Sequence, residues 1–353
     1  MSQNPYTHLP KSAFWKTGVA QENPYLIENL YKKKFNIQAN TKIATAGSCF
    51  AQHISRHLKI NGYKILDVEP PPPGLPENLR KKFGYSTYSA RYGNIYTVRQ
   101  LLQLAQEVAG DWTPENYVWE KDGKFFDALR PSIEPEGLDS SEEVIEHRKY
   151  HLSRVRTLFE TLNLFIFTLG LTEMWIDKQS GTVYPTAPGT LAGKFDTESY
   201  TFKNARFSEI IDDFNRFQKV LKKIRGNKPF KILLTVSPVP LTATASGNHV
   251  LVSTIQSKSI LRAVAGELSA NQSNIDYFPS FEIVTNPRLH SSSFSDNLRS
   301  VRDETVEIVM RHFFGEHHAI NEKTSDQELT TQASESSVAD IQCEEALMEA
   351  FAK

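Results

Sequence analysis

The sequence predicts an α/β fold, a three-layer arrangement in which helices cover both faces of a mainly parallel sheet that carries insertions. Three observations predict it. The runs Lys42–Ala46, Leu164–Thr168 and Phe230–Val236 are short, apolar and end at glycine or at Ser237-Pro238. Long stretches with helical spacing separate them. The runs are also continuously apolar rather than alternating, as strands buried on both faces are. A chain of 353 residues, 39% hydrophobic and 23% charged, is long enough to bury such a core without a disulfide or metal staple.

In order along the chain, residues 1–40 are polar and aromatic, with Pro5, Pro10 and Pro24 interrupting any periodicity, and read as an extended arm packed on the body. Lys42–Ala46 reads as a buried strand that stops at Gly47. Phe50, Ile54, His57 and Leu58 then recur at helical spacing up to Asn61-Gly62. A second strand is expected at Tyr63–Val68. It runs into Pro70–Pro73, four consecutive prolines that forbid helix or central strand and favour polyproline II. Helices are expected at 97–108, 141–161, 208–225, 254–270 and 301–314, and a short strand at Ile275–Phe278. Residues 173–206, punctuated by Gly181, Pro185, Pro188, Gly189 and Gly193, read as a hairpin excursion. The domain is therefore expected over 41–315. Residues 316–353, nine acidic against two basic, read as a disordered acidic tail with at most one helical turn at its end.

Composition excludes several classes. The two cysteines, Cys49 and Cys343, belong to no Cys-x-x-Cys or Cys/His pair of metal-ligand spacing, so neither a disulfide scaffold nor a metal site is expected. Net charge is −1, and the 38 basic and 32 acidic residues of 1–315 gather on no helix face, so a nucleic-acid partner is not expected. The opening MSQNPYTHLPKSAFWK lacks a basic and an apolar signal region, and no apolar run approaches the roughly 18 residues of a membrane span. The expectation is a soluble, cytoplasmic protein with a small-molecule substrate; its oligomeric state is open.

Ligands of parallel sheets bind at the carboxyl ends of the strands. The segments there are Gly47-Ser48-Cys49, Gly93-Asn94, Gly170-Leu-Thr172-Glu173 and Ser237 to His249. The letters GSCFA at 47–51 resemble the signature of the GSCFA domain family, itself similar to the SGNH (GDSL-type) hydrolase superfamily. Further phrases carry the resemblance: Gly93-Asn-Ile-Tyr-Thr97, Asp127-Ala-Leu-Arg-Pro131, Phe167-Thr-Leu-Gly-Leu-Thr-Glu-Met-Trp175, Leu234-Thr-Val-Ser-Pro-Val-Pro240, Ser257-Lys-Ser-Ile-Leu-Arg262 and Tyr277-Phe-Pro-Ser-Phe-Glu282. It covers roughly residues 5–315, and the fold it implies is SGNH-like and flavodoxin-like.

A nucleophile on a sharp strand-to-helix turn stands beside the free N–H groups of the helix, whose dipole favours a thiolate. The resemblance puts Cys49 where the superfamily has its serine nucleophile and Ser48 where it has aspartate; Ser48 is the alternative nucleophile. The oxyanion donors it implies are Cys49, Gly93 or Asn94, and Gly170 with Thr172, although Gly170-Leu-Thr172-Glu173 departs from the superfamily's Gly-x-Asn-Asp. Its Asp-x-x-His corresponds here to Asp296-Asn-Leu-Arg299, with an arginine that stays protonated and cannot act as a base. His249 is the first substitute base and His290 the second, with Glu282 or Asp296 to orient the imidazole. Glu173, Trp175, Asp127 and Arg130 are expected to bind substrate. Lys258 and Arg262, at i and i+4, read either as site residues or as a solvated helix face.

The leading expectation is an esterase or acyltransferase that forms a covalent acyl-enzyme with an acylated or acyl-accepting small molecule, a carbohydrate among the possibilities. No cofactor is expected, apart from acyl-CoA as donor in the transfer case. The alternative is a catalytically silent SGNH-like module that binds glycans or acyl groups. A histidine ring on the Cys49 sulfur would favour the enzyme, and purely apolar neighbours the module.

Overall fold

Each apolar run predicted as a strand ends where the backbone must turn toward a helix. The computed structural model describes residues 4–318 and 344–352. In chain order, β1 (Ile43–Gly47) enters α1 (Phe50–Ile60), followed by α2 (Glu77–Lys82) and α3 (Val98–Ala109). The hairpin β2 (Val118–Lys121) and β3 (Lys124–Asp127) precedes α4 (Ser141–Thr161) and β4 (Leu164–Leu169). The excursion contributes β5 (Glu173–Asp177), β6 (Val183–Tyr184) and β7 (Tyr200–Asn204). Then come α5 (Phe207–Ile224), β8 (Lys231–Val236), α6 (Val250–Asn271), β9 (Ile275–Tyr277), α7 (Ser280–Val284), α8 (His290–Ser293) and α9 (Asp303–Glu316).

β1, β4, β8 and β9 form one parallel sheet in that order, with Ile43 opposite Leu164 and Leu164 opposite Lys231. Alternation along each strand sends side chains to two apolar cores. Ala44, Ala46, Phe165, Phe167, Ile232 and Leu234 pack toward α3, α4, α5 and α6. Ile43, Leu164, Ile166 and Leu233 pack toward α1, α7 and α9. The expected three-layer α/β/α fold is thus present.

The strand expected at 63–68 shrinks to one parallel bridge, Ile65 with Ile43. Its amide at Val68 bonds the Ser89 carbonyl instead (3.0 Å), drawing the chain out of the sheet ahead of the prolines. Counting that bridge, the order is the doubly wound 2-1-3-4-5, whose direction of winding reverses between β1 and β4. α1 accordingly lies on one face and α4 on the other. The crevice for a ligand is at this reversal, outside Gly47 and Leu169.

Gly47 is required by that crossing. Its φ is +137°, and a Cβ there would stand 2.5 Å from the Thr168 carbonyl oxygen and 2.7 Å from its nitrogen. On the arm, Tyr31 is buried and its hydroxyl donates to Asp276 (2.9 Å). The carboxyl-terminal end of the body reaches past the expected boundary of 315: α9 continues to Glu316, and the buried His317 meets the Tyr31 hydroxyl at 3.0 Å. The reason is local packing, since Tyr63 also donates to the His317 carbonyl (3.0 Å). The disorder expected of the tail lies largely outside the described residues; 344–351 form a 3-10 helix.

Buried histidines make this fold weaken toward acid pH. Desolvation lowers the pKa of His53 to about 3 and those of His151 and His317 to about 4. All three rings stay neutral in the fold but protonate when unfolded below about pH 6.5. Their contribution is therefore complete above that pH and is lost as pH falls from 6.5 toward 4, at up to about 1.4 kcal/mol per pH unit for each ring. Urea midpoints should be flat from pH 8 to 7 and fall steadily between 6.5 and 4.5. Constancy down to pH 5 would contradict the buried neutral rings.

Candidate active site

At the reversal point β1 ends in Gly47-Ser48-Cys49, and Cys49 occupies the cap of α1 with helical dihedrals (φ −48°, ψ −36°). The first turn is tight: Ala51 N–H donates to Ser48 O (2.8 Å) and Gln52 N–H to Cys49 O (3.0 Å). Cys49 is 5% exposed and packs with Tyr96, Leu171 and Leu241, with Val250 alongside. The Ser48 hydroxyl is buried and has no hydrogen-bond partner among the described residues. The wall behind it is close, because a Cβ on Gly170 would lie 2.9 Å from Ser48 Cβ.

Three loops close around this turn. The first is 88–97: Tyr88 O–H lies 3.0 Å from Ser48 O and 2.5 Å from Asn94 Oδ1, which makes the carboxamide oxygen of Asn94 an acceptor. Gly93 has φ +66° and lets this loop double back. A capping box at the start of α3, Thr97 with Gln100, fixes the loop's end. That aims the Tyr96 carbonyl at the second loop, where it accepts from Gly170 N–H (3.2 Å) and Leu171 N–H (2.9 Å). Thr172 N–H donates to Ser257 Oγ (3.1 Å), while the Thr172 hydroxyl is buried without a partner among the described residues. The Gly170 amide, expected as an oxyanion donor, and the Thr172 amide are therefore engaged in holding the loops together, whereas the donor expected of Thr172 is its hydroxyl.

The third loop, 237–249, is tied down by Leu241 N–H to Thr254 Oγ1 (3.3 Å) and by Thr244, whose hydroxyl donates to Glu173 (2.7 Å). Burial raises the pKa of Glu173 against that hydrogen bond. His249 caps α6, its Nδ1 accepting from Leu251 N–H (3.2 Å), and Val250 next to it touches the Cys49 cluster. With the Nδ1 lone pair spent on the cap, the neutral ring carries its proton on Nε2 and faces outward as a donor.

The other residues singled out by the sequence lie in different surroundings. His290 is exposed and packs edge-on against Phe294. Glu282 is paired with Arg262 and accepts from the Tyr277 hydroxyl (2.7 Å). Asp296 is exposed, 3.8 Å from Arg302. Neither acid is held by an imidazole in these contacts. Arg299 faces the Pro240 carbonyl (3.4 Å) and pairs with Glu349 of the tail's 3-10 helix (3.0 Å). Trp175 packs on Phe195 and Phe202 within the excursion.

Asp127 and Arg130, expected in a substrate wall, belong to a buried ionic network. Arg148 reaches both Asp127 oxygens (3.1 and 3.0 Å), Arg130 reaches one (2.7 Å), and Arg148 also pairs with Glu107. Burial pushes the Asp127 carboxyl up, but the two guanidiniums outweigh it and hold the group at about 2. A cavity between α3 and α4 lined by Tyr92, Arg130, Arg148 and His151 adjoins this network, away from Cys49.

The two readings left open for Lys258 and Arg262 are separated by their burial. Lys258 is 2% exposed, and its ammonium donates to the Gly170 carbonyl (2.8 Å), whereas Arg262 one turn on is half-exposed. A sequence signal did exist, namely a lysine set among Ser253, Ser257 and Ser259 on one helix.

The turn, the loops and the spacing of their motifs all fall within a match to the GSCFA family model over residues 42–313. The chain belongs to the GSCFA family. No curated protein and no solved structure shows significant similarity to it. Among the described residues of this GSCFA protein, no helix is long and apolar enough to cross a membrane. No group of three or more histidine, cysteine or acidic side chains gathers as a metal site among them.

Proposed function

We propose that this GSCFA protein is an esterase or acyltransferase that works through a covalent acyl-enzyme on Cys49. The observation that carries the reading is the placement of Cys49 in the first turn of α1, at the point where a doubly wound sheet reverses. The similarity of the family to SGNH hydrolases supports it. In the proposed cycle the Cys49 sulfur attacks the acyl carbonyl carbon, and the bond to the alcohol or thiol leaving group breaks as that group takes up a proton. Water or an acceptor hydroxyl then attacks the thioester carbonyl, losing its proton as the Cys49 thiol is restored. Tyr96, Leu171, Leu241 and Val250 supply an apolar lining suited to an acyl chain. An acylated or acyl-accepting small molecule, a carbohydrate included, fits the class, with acyl-CoA as donor for transfer. A soluble protein of the cytoplasm fits the same reading.

A second reading, a silent glycan- or acyl-binding module, is favoured by one feature. An arginine stands at 299 where the superfamily has its histidine, and the Nδ1 of His249 is engaged in capping α6. A panel of acyl esters and acyl-CoA donors, assayed with wild type and Cys49→Ala, separates the two. The enzyme reading expects at least one donor whose turnover falls about 10³-fold or more in Cys49→Ala. Binding of the panel without turnover in either protein would establish the module.

A further inference from the structure

Cys49 is 5% exposed, so a substrate reaches its sulfur only if one of the three loops around it moves. Two of them are fixed by backbone hydrogen bonds. In the 88–97 loop Ile95 N–H donates to the Gly47 carbonyl (2.9 Å). The second loop is held by Gly170 and Leu171 on the Tyr96 carbonyl and by Ala205 N–H on the Thr172 carbonyl (2.8 Å). The third differs: residues 238–248 make no backbone-to-backbone hydrogen bond among the described residues. Only its ends are anchored that way, by Ser237 N–H on the Leu169 carbonyl (2.9 Å) and by Ser253 N–H on the His249 carbonyl (3.1 Å). Between them the attachments run through side chains. The Thr244 hydroxyl donates to Glu173 (2.7 Å), Ser246 Oγ meets Ser253 Oγ (2.9 Å), Thr254 Oγ1 receives the Leu241 amide (3.3 Å), and Arg299 faces the Pro240 carbonyl (3.4 Å). Bonds of this kind contribute little net stability, because water replaces either partner on opening. The Thr242 hydroxyl is buried with no partner among the described residues, an unfavourable contribution that opening to water removes. Ala243, Ala245, Gly247 and Asn248 already face solvent, whereas Leu241 packs on Cys49.

We propose that residues 238–248 are a lid over Cys49, latched to the body by Thr244 on Glu173, which opens locally while the sheet stays folded and so admits the ligand. The inference rests on the site of the proposed function but not on its chemistry: an esterase, an acyltransferase and a binding module would all need the opening. Its test therefore requires no turnover, and either the lid or the acyl-enzyme reading can fail while the other stands.

The test is the rate of iodoacetamide labelling at Cys49 in the full chain, followed by peptide mass spectrometry across a urea series at one pH, with Cys343 as reference. Local opening exposes little surface, so wild-type labelling should be nearly flat at low urea and turn steep only as the unfolding transition is approached. Thr244→Val keeps the shape of the side chain and removes the latch, and should speed labelling at zero urea about tenfold. Ser246→Ala should give a smaller rise. Both exchanges are neutral for neutral, so the charge around the thiol is unchanged, and the Cys343 rate and the urea midpoint of unfolding should stay at their wild-type values. Wild-type labelling that climbs steeply from zero urea, in step with global unfolding, overturns the inference. Labelling of Thr244→Val at the wild-type rate overturns it as well, and so does a rise in that variant accounted for by a lower urea midpoint.

Discussion

Gly47→Ala should destabilise the protein by about 3 kcal/mol or more, a large share of the roughly 5–15 kcal/mol that keeps a domain folded. Two costs add. The φ of +137° lies where a residue with a Cβ is strained, and the new methyl would stand 2.5 Å from a backbone oxygen and 2.9 Å from Thr168 Cβ on the adjoining strand. Neither neighbour can swing aside, because β1 and β4 are paired in register at this point, Gly47 opposite Thr168. Gly110→Ala, at φ +77° but with open space around the added carbon, provides the contrast and should cost about 1 kcal/mol. Equal losses at the two glycines, measured by urea denaturation, would show that the strand crossing imposes no special constraint.

The second large effect is expected at Arg148. Its guanidinium serves Asp127 and Glu107 at once, with all three side chains less than 10% exposed. Arg148→Met keeps much of the packing volume but leaves Glu107 buried beside no guanidinium and Asp127 with Arg130 alone, a change that should cost about 3–5 kcal/mol. Adding Glu107→Gln should recover part of it by removing the stranded charge. A single-variant loss below about 1 kcal/mol would mean the network is hydrated in solution. Catalytic parameters, corrected for the folded fraction, should change little, because the network does not line the Cys49 cluster.

The central sheet was legible because β4 and β8 are continuous apolar runs with stops at their carboxyl ends, a pattern few other structures satisfy. The strand expected at 63–68 failed because a local run cannot report that Val68 finds its partner at Ser89, outside the sheet. The Asp127 network was equally hidden: its members are separated by about 18 residues or more along the chain, apart from Asp127 with Arg130, and a charged pair in a loop reads like any surface pair. Lys258 illustrates the same limit from the other side. Helical spacing joins it to Arg262, yet α6 buries the first and exposes the second, and only the position of the Gly170 carbonyl decides between them. The position of Cys49 at a strand-to-helix turn was legible from the sequence pattern and the resemblance together. The loops that close over it, and the engagement of the Gly170 and Thr172 amides, emerge only from tertiary structure.

The most direct test of the central claim is to trap the acyl group. Full-length protein mixed with a short-chain acyl-CoA or activated acyl ester, quenched in acid and digested, should yield the peptide containing Cys49 heavier by one acyl group. The adduct should be hydroxylamine-labile, as a thioester is, and absent from Cys49→Ala. An adduct on Ser48 would move the nucleophile by one residue. Turnover of the donor with no adduct on either side chain, or an adduct that persists in Cys49→Ala, would contradict the account.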